Sequence, residues 1–258
     1  MGLGLYLAFR HVAPLLRGSD CTAAGGGQRI SLGPGQAGIA ATIAGVAQRD
    51  ALPARAVTVA YAAALQESKL QNLPYGDRDS VGVFQQRPSQ GWGPRSKLEN
   101  PVYATSKFFG ALAQVPGYQR MPIYQAAQAV QHSADGQAYA RFQLLATRMT
   151  GAFTGQEPHA VWCWYTPAIT GTARVRAASL ELARTFGTRS RPTADPGLIV
   201  EVGSVRQGWA VATWLVAHAQ QFRIGDVRYA GYRWTAATGA RGWTRTVSPA
   251  PPGIVELG

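Results

Sequence analysis

Residues 65–68 read Leu65-Gln66-Glu67-Ser68, and residues 76–86 read Gly76-Asp77-Arg78-Asp79-Ser80-Val81-Gly82-Val83-Phe84-Gln85-Gln86. The first stretch closes a helical pattern, and the second is a polar loop punctuated by glycine. Val57, Tyr61, Leu65 and Ser68 fall on one stripe at helical spacing, so Glu67 comes at the C-terminal end of a helix. There the backbone dipole is negative and disfavours a carboxylate. Ala60, Ala63 and Ala64 lie one or two turns back on the same side. Side chains this small are expected to leave room for a ligand and to surround the carboxyl with apolar surface. Both effects favour a neutral carboxylic acid, the form a general acid needs. A solvated glutamate at a helix end would carry the same local signal. The loop changes the reading.

Gly76 and Gly82 permit tight backbone turns, and two glutamines follow at once. Neutral amides both donate and accept hydrogen bonds, which suits Gln85 and Gln86 to hydroxyl-rich ligands. Tyr75, Phe84 and Trp92 offer flat faces on which a pyranose ring can lie. Asp77 and Asp79 have two readings. Either orients a water as a second carboxylate, or both cap their own loop, as Asp does in turns.

The helix ending in Glu67-Ser68, followed by Gly82-Val83-Phe84-Gln85, resembles the pattern of lytic transglycosylases and goose-type lysozymes. Gly76-Asp77-Arg78 is similar to the turn that precedes this motif in goose-type lysozymes. The resemblance implies a mainly α, lysozyme-like (α+β) domain with Glu67 as acid and base at one wall of a glycan cleft. Ser68 and Gln85 would hold the site and the sugar. It also implies peptidoglycan as substrate, cut at the β-1,4 link between N-acetylmuramic acid and N-acetylglucosamine. A third family element, Ala-Tyr-Asn on a later helix, has its best match at Ala129-Val130-Gln131, where valine and glutamine replace tyrosine and asparagine. Gln131 is thus a candidate substrate contact. The stretch 36–139 further resembles a group of actinobacterial exported proteins. They share the Glu-Ser element and the run Phe84-Gln85-Gln86-Arg87-Pro88-Ser89-Gln90-Gly91-Trp92-Gly93.

Outward from this stretch, helical periodicity covers 37–70 with a break at Leu52-Pro53, then 102–115, 123–132 and 139–149. Residues 21–165 are expected to form the lysozyme-like domain. Residues 166–197 form a helix (Val175, Ser179, Leu182, Phe186) and a linker. Residues 198–258 read as strand, helix (207–222) and further strands at 227–235, 243–247 and 254–257, a small α+β accessory domain. Trp209, Trp214, Trp234 and Trp243 lie there, as its core or as a sugar-stacking surface.

Cys21 and Cys163 are the only cysteines. In a cytosolic protein they would be two buried thiols, and in an exported one a single disulfide. Such a bridge closes a loop of roughly 140 residues, for about 4 to 5 kcal/mol on a chain-entropy argument. The expectation carried forward is the exported one, in the cell envelope or outside it. Residues 1–20 are apolar but interrupted by Arg10 and His11, short of a membrane span; they read as an anchor or signal remnant or as an ordinary amphipathic helix, and the exported disulfide reading favours the former.

With 25 basic against 13 acidic residues, the chain carries a net charge of +12, which draws it toward anionic polymers. An anionic cell-wall polymer fits as well as glycan strands do. Nucleic acid is disfavoured, because no reading motif accompanies the charge and arginine is spread without a run. The four histidines are scattered, which gives no metal-ligand spacing, and no phosphate-cradling glycine loop is present. No cofactor is expected. His132 at a helix end and His218 four residues from Trp214 and Phe222 read as structural. The competing functional class is a non-catalytic wall-binding scaffold that keeps the fold.

Overall fold

The computed structural model describes residues 18–132, 137–193 and 197–258. Residues 1–17 of the expected N-terminal segment lie outside this range. The protein is an α+β structure with two small antiparallel sheets around a helical core.

Strands β1 (Asp20–Gly25) and β2 (Gln28–Leu32) form a hairpin. Its two turn residues, Gly26 and Gly27, both take positive φ (57° and 75°), as the tight primed turns of hairpins require. Helix α1 (Pro34–Arg49) opens with Pro34 in the first turn, and the Gln36 side chain accepts from the Gly33 N–H at 2.8 Å. Helix α2 (Ala54–Glu67) follows after the expected break at Leu52-Pro53. The short α3 (Arg95–Leu98) leads to α4 (Pro101–Ala113), where Asn100 caps the helix by accepting from the Val102 and Tyr103 N–H groups. Then come α5 (Ile123–Gln131), a 3-10 turn at Ala140–Phe142, and α6 (Gln143–Phe153).

Strand β3 (Val161–Trp164) returns to the hairpin and pairs with β1, giving the order β2-β1-β3. Cys21 lies directly opposite Cys163 in that pairing, and the two form a disulfide between fully buried residues. The bridge joins segments 142 residues apart in sequence. Such a bond belongs to a protein that matures in an oxidising compartment.

The remaining elements are α7 (Val175–Phe186), β4 (Ser190–Pro192), β5 (Leu198–Glu201), α8 (Val205–Ala217), α9 (Ala219–Phe222), β6 (Asp226–Tyr229), β7 (Tyr232–Thr235), β8 (Thr244–Arg245) and β9 (Ile254–Leu257). They build a second sheet in the order β4-β5-β9-β6-β7-β8. The expected single helix over 207–222 is divided at His218. The expected strand over 227–235 is a hairpin turned at Ala230-Gly231, both at positive φ.

Helix α1 is enclosed by α2, α4, α6, α7 and α8, which is why its alanines, Gly38 and Gly45 are buried. At Gly45 a Cβ would lie 2.5 Å from the Thr185 methyl and 2.8 Å from the Phe186 ring, so only glycine lets α7 come this close. Tyr61 of α2 spans the same interior and donates its hydroxyl hydrogen to the Ala40 carbonyl at 2.7 Å. The C-terminal tryptophans are structural ties. Trp214 Nε1 donates to Thr42 Oγ1 of α1, Trp234 Nε1 to the Cys163 carbonyl, and Trp243 Nε1 to the Val161 carbonyl. One continuous buried core therefore runs from α1 and α2 through α8 to the second sheet. Among the described residues, no helix is long and apolar enough to cross a membrane.

Candidate functional site

Helix α2 carries Glu67 out of the core. Every residue from Ala56 to Leu65 is buried, and then Gln66 and Glu67 are half-exposed at the helix end. Ala60, Ala63 and Ala64 are fully buried. They admit the close approach of α5 and α6 to α2, and do not open space for a ligand as their size alone had led us to expect.

Ser68 ends the helix and ties it to the loop opposite. Its hydroxyl donates to the Val83 carbonyl at 2.7 Å, while its oxygen accepts from the Gln71 N–H at 3.1 Å. Lys69 and Leu70 follow, both in the left-handed region (φ 57° and 58°), and the chain reverses sharply into the loop. Ser68 therefore fixes the distance between the helix end and the loop, and its hydroxyl is already engaged.

That loop is held largely by its own polar groups. Bridges pair Leu73 with Gly82 and Val81 with Gln86. Gly82 sits at φ 79°, where a Cβ would lie 2.5 Å from the Leu98 carbonyl oxygen. Gln85, also at positive φ (48°), donates through Nε2 to the Tyr75 and Gly82 carbonyls at 3.3 and 3.2 Å. Its amide rests on Gly76, where any side chain would collide with Oε1. Gln86 is buried (2% exposed) and donates to the Ala104 carbonyl at 3.2 Å, which makes it a core tie and not a sugar contact. Phe84 is likewise fully buried and stacks on Phe108 at 4.5 Å, so no ring face is left for a pyranose. Gln131 Nε2 donates to the Phe84 carbonyl at 2.8 Å, bracing the loop from α5. Tyr75 is 68% exposed, and Trp92 is half-buried between two glycines.

The two aspartates differ. Asp77 is a solvent-exposed loop residue, its side chain 91% accessible and 4.0 Å from Arg78. Asp79 is a latch. It accepts from the Ser89 N–H at 2.7 Å, Arg87 Nε at 2.9 Å and the Ser89 hydroxyl at 2.9 Å. The Ser89 N–H first, then Arg87, hold its carboxyl well below the usual carboxylate range. Both Asp79 oxygens are thus occupied in closing the loop.

Glu67 meets its partner from another direction. Tyr139, fully buried, donates its hydroxyl hydrogen to Glu67 Oε1 at 2.7 Å. Three more polar groups gather at the same helix end. Arg141 Nη2 donates to Gln66 Oε1 at 2.7 Å, and Lys69 Nζ donates to the Leu65 carbonyl at 3.1 Å. Lys69 and Arg141 both approach the Phe142 ring, 4.7 and 4.9 Å from its centroid. Burial and then Arg141 lower the Lys69 pKa, and Glu67 pulls it back up.

Tyr139 is the residue that sequence reasoning missed. Its signal was the pair Ala138-Tyr139, an alanine followed by a tyrosine nine positions beyond Ala129-Val130. His132 caps α5 in the left-handed conformation and is exposed. His218 stacks on Trp214 at 4.1 Å, and burial brings its pKa down to about 4 against the opposing hydrogen bond to the Trp214 carbonyl. It is therefore neutral at physiological pH. Among the described residues, no three His, Cys, Asp or Glu side chains stand together as a metal site.

No family model matches the chain, and no curated protein matches it.

Proposed function

We propose that the protein is an exported glycan-cleaving enzyme of lysozyme-like fold, with Glu67 as its single acid and base. The observation that carries this reading is the arrangement at one helix end. Glu67 leaves the core between a tyrosine hydroxyl at 2.7 Å and a serine, Ser68, that fastens the helix to the Gly82–Gln85 loop. A hydroxyl donor on one carboxylate oxygen fixes the carboxyl's orientation and leaves the other oxygen to face substrate. The substrate proposed is the β-1,4 link between N-acetylmuramic acid and N-acetylglucosamine in peptidoglycan. Glycan strands and, through the net charge of +12, an anionic wall polymer are the partners proposed. The buried Cys21–Cys163 disulfide supports the cell envelope or exterior as the place of action.

The aspartates favour one of two routes. Hydrolysis with inversion needs a second carboxylate to activate water, roughly 6.5–9.5 Å from the acid. Asp79 is fully engaged as a latch, and Asp77 extends into solvent. In the alternative route Glu67 gives its proton to the glycosidic oxygen as the bond to C1 breaks. The resulting carboxylate then takes the proton of the sugar's own 6-hydroxyl as O6 bonds to C1. Glu67 regains its proton, no water is consumed, and the product carries a 1,6-anhydro end.

The test is mass spectrometry of soluble products after incubating sacculi with the protein or with its Glu67→Gln variant. Anhydro-muropeptides from the wild type alone, at least about a hundredfold above the variant, are the expected result. Reducing-end products would replace the transglycosylase route with hydrolysis. A folded wild type that releases nothing from several kinds of sacculus would end the enzymatic reading in favour of a wall-binding scaffold.

A further inference from the structure

Two cations stand beside Glu67 that general acid chemistry does not require. Lys69 comes from the reversal after α2, and Arg141 from the separate 3-10 turn that follows Tyr139. Both are exposed, both sit on the half-buried ring of Phe142, and neither forms an ion pair among the described residues. Each is steered by one hydrogen bond, Lys69 to the Leu65 carbonyl and Arg141 to the Gln66 side chain. An ammonium has three donors and a guanidinium five, so both retain donors for a ligand.

A single cation at a helix C-terminus is explained by the dipole alone. A second on the same ring adds repulsion, which is tolerated where an anion is shared. Glu67 supplies that anion only while it is ionised. In the neutral form that donates a proton, the two cations face no negative charge.

We propose that Lys69, Arg141 and Phe142 form a subsite for the free lactyl carboxylate of an N-acetylmuramic acid that carries no stem peptide, next to the bond under attack. Arg141 grips the carboxylate through its planar fork and Lys69 adds a point charge. Phe142 holds both cations in place and offers the rest of its face to the sugar. The substrate's charge then replaces that of Glu67 when Glu67 is neutral. The subsite rests on the reading of Glu67 as a glycan-cleaving acid, but its binding is measurable without cleavage.

Calorimetric titration of the Glu67→Gln chain compares two probes. One is a tetrasaccharide alternating N-acetylglucosamine with N-acetylmuramic acid that bears free lactyl carboxylates; the other is the neutral N-acetylglucosamine tetramer. The carboxylate probe is expected to bind at least about 10-fold more tightly. Adding Lys69→Gln and Arg141→Gln brings that ratio close to one, while Lys69→Arg with Arg141→Lys keeps it. Circular dichroism confirms that each variant is folded. No preference in the Glu67→Gln chain, or a preference that survives the paired glutamine substitutions, overturns the subsite. Sacculus cleavage by the wild type separates the two proposals. Cleavage without a carboxylate preference leaves the activity standing and removes the subsite. A preference abolished by the paired substitutions, in a protein that cleaves nothing, leaves the subsite and removes the activity.

Discussion

The two walls beside Glu67 contrast sharply. The loop over 71–93 is dense with the residue types that bind sugars, yet most of them serve the loop itself. Gln85, Gln86 and Asp79 satisfy backbone and side-chain groups of the loop and of α4, and Phe84 fills the core against Phe108. The segment 137–142 has no comparable density, yet it sends Tyr139, Arg141 and Phe142 to the helix end. An irregular loop must pair its own buried polar groups before any are left for a ligand. Polar richness therefore signals a built loop first and a binding loop second.

The largest effect that sharpens this contrast is on stability. Phe84→Ala removes a fully buried ring and should cost about 3–5 kcal/mol in denaturant unfolding. Tyr75→Ala, on the exposed side of the same loop, should change stability by less than about 0.5 kcal/mol. If Tyr75 does offer its face to sugar, that variant raises KM for sacculi. Equal destabilisation by both would erase the distinction between an inner and an outer side of the loop.

Next in size is Tyr139→Phe. The ring stays packed while the hydroxyl that holds Glu67 Oε1 is lost. Stability should fall by about 1 kcal/mol and product release by roughly 10- to 100-fold, chiefly in kcat. An equal loss from Gln131→Ala, which only braces the loop through the Phe84 carbonyl, would mean that loop position and not the carboxyl's orientation limits the reaction.

These residues also mark where the sequence was legible. Helix Val175–Phe186 and strand Ile254–Leu257 follow their hydrophobic spacing to the residue, because each buries one regular face. Strand Val161–Trp164 went unread. Its four residues are too few to show alternation, and its partner β1 lies more than a hundred residues away. Glu67, Ser68 and Gln85 were singled out by a resemblance of motif, but which side of the loop Phe84 and Gln86 face could not be read. Without a period of 2 or 3.6, nothing in a loop's sequence separates its inner side from its outer one. Tyr139 was hidden by the helical pattern after it. Its role depends on a 3-10 turn that brings it back to a helix end 72 residues earlier.

The smallest expected effect concerns the latch, and pH isolates it. Asp79 has its carboxyl pKa lowered by the Ser89 N–H and by Arg87. A carboxylate whose folded pKa is depressed contributes stability that is present above its unfolded value, about 3.9, and is lost as pH falls through the folded value. The wild type should therefore lose stability in strong acid, in the window below about pH 4. Asp79→Asn should lose less over that window, because the amide has no proton to gain. At neutral pH the variant should be only slightly less stable, since the carboxylate is partly accessible to solvent and its ion pair with Arg87 is screened. Thermal unfolding of both proteins between pH 2 and pH 7 measures the difference. Cleavage at neutral pH then separates latch from catalyst. A latch residue leaves kcat within a few-fold after this isosteric change, whereas a water-activating carboxylate would lose most of its activity and reopen the inverting route.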